Sequence, residues 1–176
     1  MKKKILSVLL VGALLFTGCG TQENSNNSES KNTENNSEST VINTDEVFSN
    51  RDFKTEYEEN CTYIQLNRTS ATCESNAVEI KGSTITIKDE GTYVVSGTLE
   101  NGMLVVDSEN TDKTQIVLNG AKIHNGSGAA IYIKQSDKVF LTLKERTENT
   151  LSSGDSFEAI DEEEIDGVIY SKDDLT

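Results

Sequence analysis

Three stretches of the chain repeat one unit: LVVDSENTDKTQIVL (104–118), IYIKQSDKVFLTL (131–143) and VIYSKDDLT (168–176). Each is a short apolar strand, a polar turn holding an aspartate, and then a second strand. The turn aspartates are Asp112, Asp137 and Asp173, spaced 25 and 36 residues apart, and the longer step contains an acidic insertion. A strand–turn–strand unit returning every ~20–30 residues marks a solenoid. One coil cannot bury its own inward face. Stacking brings the aliphatic rows of neighbouring coils together, with hydrogen bonds running from coil to coil. An antiparallel sandwich also gives short strands at regular spacing. Repetition of a whole unit, aliphatic on one face with Thr, Lys, Asp and Tyr on the other, favours the stack. The expected fold is all-β, a β-helix.

Period-2 alternation supports many short strands: Ile64 and Leu66, Val78 and Ile80, Ile85 and Ile87, Ile116 and Leu118, Ile131 and Ile133, and Val139, Leu141 and Leu143. Gly and Asn punctuate them, as at Asn119-Gly120 and Asn125-Gly126. The best helical candidate, Arg51–Asn60, is short and polar and reads as a cap. Asp174, Leu175 and Thr176 open a strand with no capping segment after them, so the sequence is expected to be a piece of a longer solenoid.

The N-terminus sets an address. MKKK, an apolar run from Ile5 to Phe16 and Thr17-Gly18-Cys19 form a secretory signal ending at a lipoprotein cleavage site. The run is too short to span a bilayer, which needs roughly 20 apolar residues. Phe16 stands where Leu is usual, and an ordinary signal peptide cleaved elsewhere is the alternative. Residues 1–18 are expected to be removed, and Cys19 to be diacylated at the outer face of the cell membrane. The stretch from there to residue 46 is Asn, Ser, Glu and Thr with almost nothing apolar. It cannot offset its ordering entropy, and reads as a disordered tether of about 25–30 Å. The folded domain is expected over 47–176.

Net charge is −14, and loss of the three leader lysines takes it to −17. Such a surface repels nucleic acid and anionic headgroups. It suits divalent cations, which take carboxylate oxygens. Trp is absent, so a platform of Trp rings is excluded. With Cys19 lipidated, Cys61 and Cys73 remain in an oxidising compartment. They form either a short-loop disulfide, worth about 3 kcal/mol by chain entropy, or two free thiols.

Six stretches in order carry a family resemblance: FSNRDF (48–53), EGTYVVSGTL (90–99), IVLNGAKI (116–123), AAIYIKQSDKVFLTL (129–143), ENTLSSG (148–154) and GVIYSKDDLT (167–176). Together they resemble the clostridial-type cell-surface family of carbohydrate-binding domain-containing proteins. The resemblance implies a right-handed parallel β-helix like that of polysaccharide lyases, with bound calcium. It also implies binding of acidic plant polysaccharide such as polygalacturonate, or of cellulose-like glucan, without established cleavage. Family members continue through further coils with Gly-Asp-Asp-Gly-Ile-like turns, which this sequence lacks.

The acidic segment GDSFEAIDEEEIDGVIYSKDD (154–174) offers calcium ligands, with Asp161, Glu163, Asp166, Asp173 and Asp174 as the candidates. It has no EF-hand spacing, and a solvated loop without an ion is the competing reading. Asp112 and Asp137 stack in the repeat, where lone aspartates more often accept from turn amides. Tyr93, Tyr132 and Tyr170 fall near corresponding strand positions and could form a sugar-stacking ladder, against ordinary cross-strand packing. Lys134, Lys138 and Lys172 recur near the same turns and could meet uronates. Tyr132, Tyr170, Lys134 and Lys172 are the candidate sugar contacts. His124, the single histidine, reads as surface decoration.

No Ser or Cys nucleophile motif and no phosphate loop is present. The expected function is a lipid-anchored, non-catalytic polysaccharide-binding protein in which calcium bridges protein and uronate carboxylates. The alternatives are a lyase-like enzyme acting on polygalacturonate and a structural surface adhesin.

Overall fold

A computed structural model describes residues 48–57 and 59–176. The expected signal segment, Cys19 and the tether lie outside the described residues. The strands in chain order are β1 (Thr62–Arg68), β2 (Ala71–Thr72), β3 (Val78–Lys81), β4 (Thr84–Ile87), β5 (Gly91–Leu99), β6 (Met103–Asp107), β7 (Lys113–Asn125), β8 (Ile131–Gln135), β9 (Lys138–Leu143), β10 (Thr150–Ser153), β11 (Ile169–Ser171) and β12 (Asp174–Leu175). Among the described residues there is no helix. The segment read as a helical candidate is a turn instead. Asp52 N–H donates to the Ser49 carbonyl, and Lys54 N–H to that of Arg51.

The chain alternates between two sheets. Sheet one runs β12-β9-β7-β5-β1-β2, with β10 also on β7; sheet two runs β11-β8-β6-β4-β3. Each return to a sheet is one rung further along, and the molecule is a β-solenoid of about three turns. The pairings β1–β5–β7–β9–β12 and β4–β6–β8–β11 are all parallel. Ile131 and Ile169 sit side by side on parallel strands, which rules out the antiparallel sandwich. Only the first rung departs from the parallel pattern. There β1–β2 and β3–β4 are antiparallel hairpins that cover the starting edge.

The register reproduces the repeat. Lys113 pairs with Lys138 and Lys138 with Asp174, offsets of 25 and 36 residues. Asp112, Asp137 and Asp173 therefore occupy equivalent corners. Two of these carboxylates accept from turn amides: Asp112 from Glu109 N–H and Asp173 from Ser136 N–H.

Inward side chains form columns. One is Ile64–Val95–Leu118–Leu143; another is Ile85–Leu104–Ile131–Ile169. Burial of each such aliphatic side chain contributes about 1.5–3 kcal/mol before conformational entropy is subtracted. Both columns lose cover toward the end of the stack, where Leu143 at the end of β9 is 64% exposed and Ile169 on β11 37%. Gly97 marks a bulge between β5 and β7. Its φ is +89°, and a Cβ there would meet the Leu66 carbonyl oxygen at 2.4 Å.

The expected Cys61–Cys73 bridge does not form, and both thiols are free. Cys73 packs against the core and its sulfur accepts from the Ser75 amide, while Cys61, equally half-buried, sits beside the exposed Tyr63 and raises that phenol's pKa.

Candidate functional site

The acidic insertion is not a free loop. Its apolar residues Phe157, Ile160 and Ile165 fold back onto the outer face of sheet two, against Met103, Val105, Ala129 and Tyr132. Glu158 N–H donates to the Ser127 carbonyl and holds the strap at one end. At its tip, Ile160 and Glu163 exchange backbone hydrogen bonds around Asp161 and Glu162. Both intervening residues have positive φ, +53° and +67°. A left-handed conformation costs a non-glycine residue about 1–2 kcal/mol, so the tip is strained.

The strap joins the residues expected to bind sugar with two of those expected to bind metal. Asp161 pairs with Lys134 at 2.9 Å and Glu163 with Lys172 at 2.6 Å. Asp107 lies 3.9 Å from Lys134 and 2.8 Å from Lys88. These contacts raise both lysine pKa values, chiefly through Asp161 for Lys134 and Glu163 for Lys172. Tyr132 and Tyr170 stack across neighbouring rungs with ring centroids 5.9 Å apart. Beneath the strap Tyr132 is 1% exposed, and its hydroxyl has no hydrogen-bond partner among the described residues. Burial drives its pKa up.

Two expectations change here. Tyr132 is closed to ligand in this conformation by chain from 25 or more residues downstream. Tyr93 is no part of a ladder. It points into the core from sheet one, donates to the Asp89 carbonyl at 2.8 Å, and its pKa is pushed up to about 12, mainly by burial.

In this structure the five expected calcium ligands do not converge on one point. Asp161 and Glu163 are taken by lysines, Asp173 accepts from the Ser136 amide, and Asp166 and Asp174 are exposed. Among the described residues no three His, Cys, Asp or Glu side chains gather so as to hold a metal ion. Six to eight oxygen ligands would be needed.

The second half of β7, reached through the irregularity at Asn119-Gly120, builds a different surface. Asn67, Thr98, Lys122 and Thr150 are paired rung to rung, and all four are exposed. Beside them His124 pairs with Ser152, its Nδ1 3.0 Å from the serine Oγ. Between the two rows runs a shallow groove of about 210 Å³, lined by Thr98, Glu100, Lys122, His124, Thr150 and Ser152 over Leu99 and Ile123. Glu100 is fixed at its edge by Arg68 at 2.6 Å. Parallel rungs set these side chains ~4.8 Å apart. The surface thus carries hydroxyls, an ammonium and an imidazole on one lattice, the complement of a row of sugar hydroxyls. Sequence reading assigned only His124 here, as decoration. The offsets Thr98 to Lys122 and Lys122 to Thr150 lie close to the repeat length, and were the available signal.

Comparison with known proteins agrees with a saccharide role. A family model described as carbohydrate-binding domain-containing protein matches residues 81–176. A protein of the same description from Acetivibrio thermocellus is 34% identical over 94 residues, covering 52% of this chain and 33% of the relative. The gadolinium derivative of the polysaccharide lyase-like protein from C. thermocellum matches with a TM-score of 0.61 at 27% identity, over 65% of this chain and 48% of that one. The chain thus spans a third of that relative and about half of that structure. With a family model matching more than half of its length and a solenoid like that solved structure, the chain belongs to the carbohydrate-binding domain-containing protein family.

Proposed function

We propose that this is a cell-surface polysaccharide-binding protein, anchored through a lipid on Cys19, that holds acidic plant polysaccharide or cellulose-like glucan on its solenoid without cleaving it. The observation that carries the reading is the in-register polar lattice of exposed Thr98, Lys122, His124 and Thr150 with half-buried Ser152 in a member of a carbohydrate-binding family. A chain of sugars laid across rungs meets one polar side chain per rung. Lys122 supplies a charge-assisted donor, and such hydrogen bonds are roughly twice as strong as neutral ones. The lattice sits on strands, so its geometry is set before ligand arrives and little ordering cost falls on binding.

Affinity electrophoresis through gels containing a soluble neutral β-glucan or polygalacturonate tests this. Retardation is expected with at least one polymer, and Lys122→Ala/His124→Ala should reduce it several-fold while melting temperature stays within a few degrees. Retardation that the double substitution leaves intact removes the lattice from the reading. Release of unsaturated products from polygalacturonate would replace binding with lyase action, the alternative raised by the lyase-like description of the structural relative. Metabolic labelling with radioactive fatty acid tests the anchor, and a Cys19→Ala variant should incorporate none.

A further inference from the structure

We propose that Lys134, Lys172, Tyr132 and Tyr170 form a second saccharide site, specific for a uronate-bearing chain, and that the strap carboxylates Asp161 and Glu163 occupy it as internal mimics of that ligand. This deepens the saccharide-binding reading above and rests on it.

Lys134 and Lys172 are reached on adjacent rungs, each following a residue of the pair Ile133–Ser171. That places two ammonium groups one rung apart on the face that also carries the Tyr170 ring and, beneath the strap, the Tyr132 ring tilted against it. Two cations beside aromatic surface match a polymer with one carboxylate per sugar and an apolar ring face. Each ammonium is held by one strap carboxylate, at 2.9 and 2.6 Å. Asp161 is the first residue of the strained two-residue turn, and Glu163 follows its second.

The acidic strap alone would be no evidence of a ligand. The independent observation is the Tyr132 hydroxyl. It is buried, has no partner, and sits within the electrostatic reach of Lys134, Lys172, Asp161 and Glu163. The strap reproduces the ligand's charges but leaves this donor unsatisfied, whereas a sugar hydroxyl or ring oxygen in its place would accept from it. Displacement also relieves the tip. The arrangement resolves the repulsion between an anionic protein and an anionic polymer: the ligand exchanges with carboxylates already present, and the local charge balance is kept without a bridging cation.

The test compares binding of polygalacturonate and of a neutral β-glucan to the full mature chain. Asp161→Asn/Glu163→Gln is expected to bind polygalacturonate about ten-fold more tightly, with glucan affinity unchanged. Adding Lys134→Gln/Lys172→Gln to that variant should abolish the gain. Glu145→Gln/Glu109→Gln, an equal change of net charge away from the strap, should produce none of it. The proposal is overturned if the first variant shows no gain, if the gain survives loss of the lysines, or if the charge control matches it. A melting curve on each variant verifies folding, and Asp161→Asn alone, expected to show a smaller gain, serves if the double variant unfolds. Lys122→Ala/His124→Ala reports the open lattice. A gain of polygalacturonate binding in Asp161→Asn/Glu163→Gln, in a protein whose basal binding this lattice pair leaves intact, would sustain the strap site and sink the lattice, and basal binding lost with the lattice pair but no strap-variant gain would do the reverse.

Discussion

The carboxylate of Asp52 lies 2.6 Å from the Lys138 ammonium with its side chain only 1% exposed. The same oxygen accepts from the Thr176 hydroxyl at 3.0 Å, and the other from the Ser49 amide and hydroxyl. One aspartate therefore ties the entering segment, the β9 rung and the end of the last rung. Next to it, Arg51 donates to Gln115 at 2.9 Å and covers the Phe140 ring at 4.6 Å.

Asp52 should give the protein an acid-sensitive joint. Lys138 foremost, then Ser49, hold its pKa far below the ordinary 3.8. The unfolded chain therefore binds the proton first, and stability from this group is full above about pH 4 and lost as pH falls through the folded value. Asp52→Asn should lower the melting temperature at pH 7 and flatten its decline between pH 4 and pH 2. A variant with the wild-type acid slope would contradict the assignment.

Core columns predict a gradient along the axis. Ile116→Ala empties a fully buried position and should cost about 2–5 kcal/mol in denaturant unfolding. Leu143→Ala, at an exposed position at the end of β9, should cost under about 0.5 kcal/mol. Equal losses would mean that the two positions share the same cover in solution.

Two tyrosine-to-phenylalanine substitutions should have opposite signs. Tyr93→Phe loses the hydrogen bond to Asp89 and should destabilise by about 1 kcal/mol. Tyr132→Phe removes an unsatisfied buried hydroxyl, so it should be neutral or stabilising by up to about 1 kcal/mol. Urea midpoints of the two variants decide it.

Calcium should leave the melting temperature of the wild-type protein unmoved at millimolar concentration, since the five expected ligands are dispersed or taken by lysines. A rise of several degrees that EDTA reverses would show that carboxylates regroup around the ion.

Reading the chain alone located the strands, the stacking and even the corner aspartates, because each depends on local alternation and a repeat length. It did not show which outward rows are covered, for a reason visible at Tyr132 and Thr98. Both are outward strand positions in the same period-2 pattern, yet one is buried and the other open. The difference comes from Phe157, Ile160 and Ile165, whose spacing carries no strand or helix signal. The cysteines were equally illegible, since a short loop does not say whether two thiols meet.

Sequence by itself determined the rung: aliphatic residues at alternate positions, recurring at 25 and 36 residues, can be buried only if coils stack in that register. Tertiary structure alone decided which outward rows meet solvent. Cover over an outward row is supplied by segments distant in the chain, such as the strap on sheet two and Arg51 with Asp52 on sheet one, and no local pattern encodes that contact.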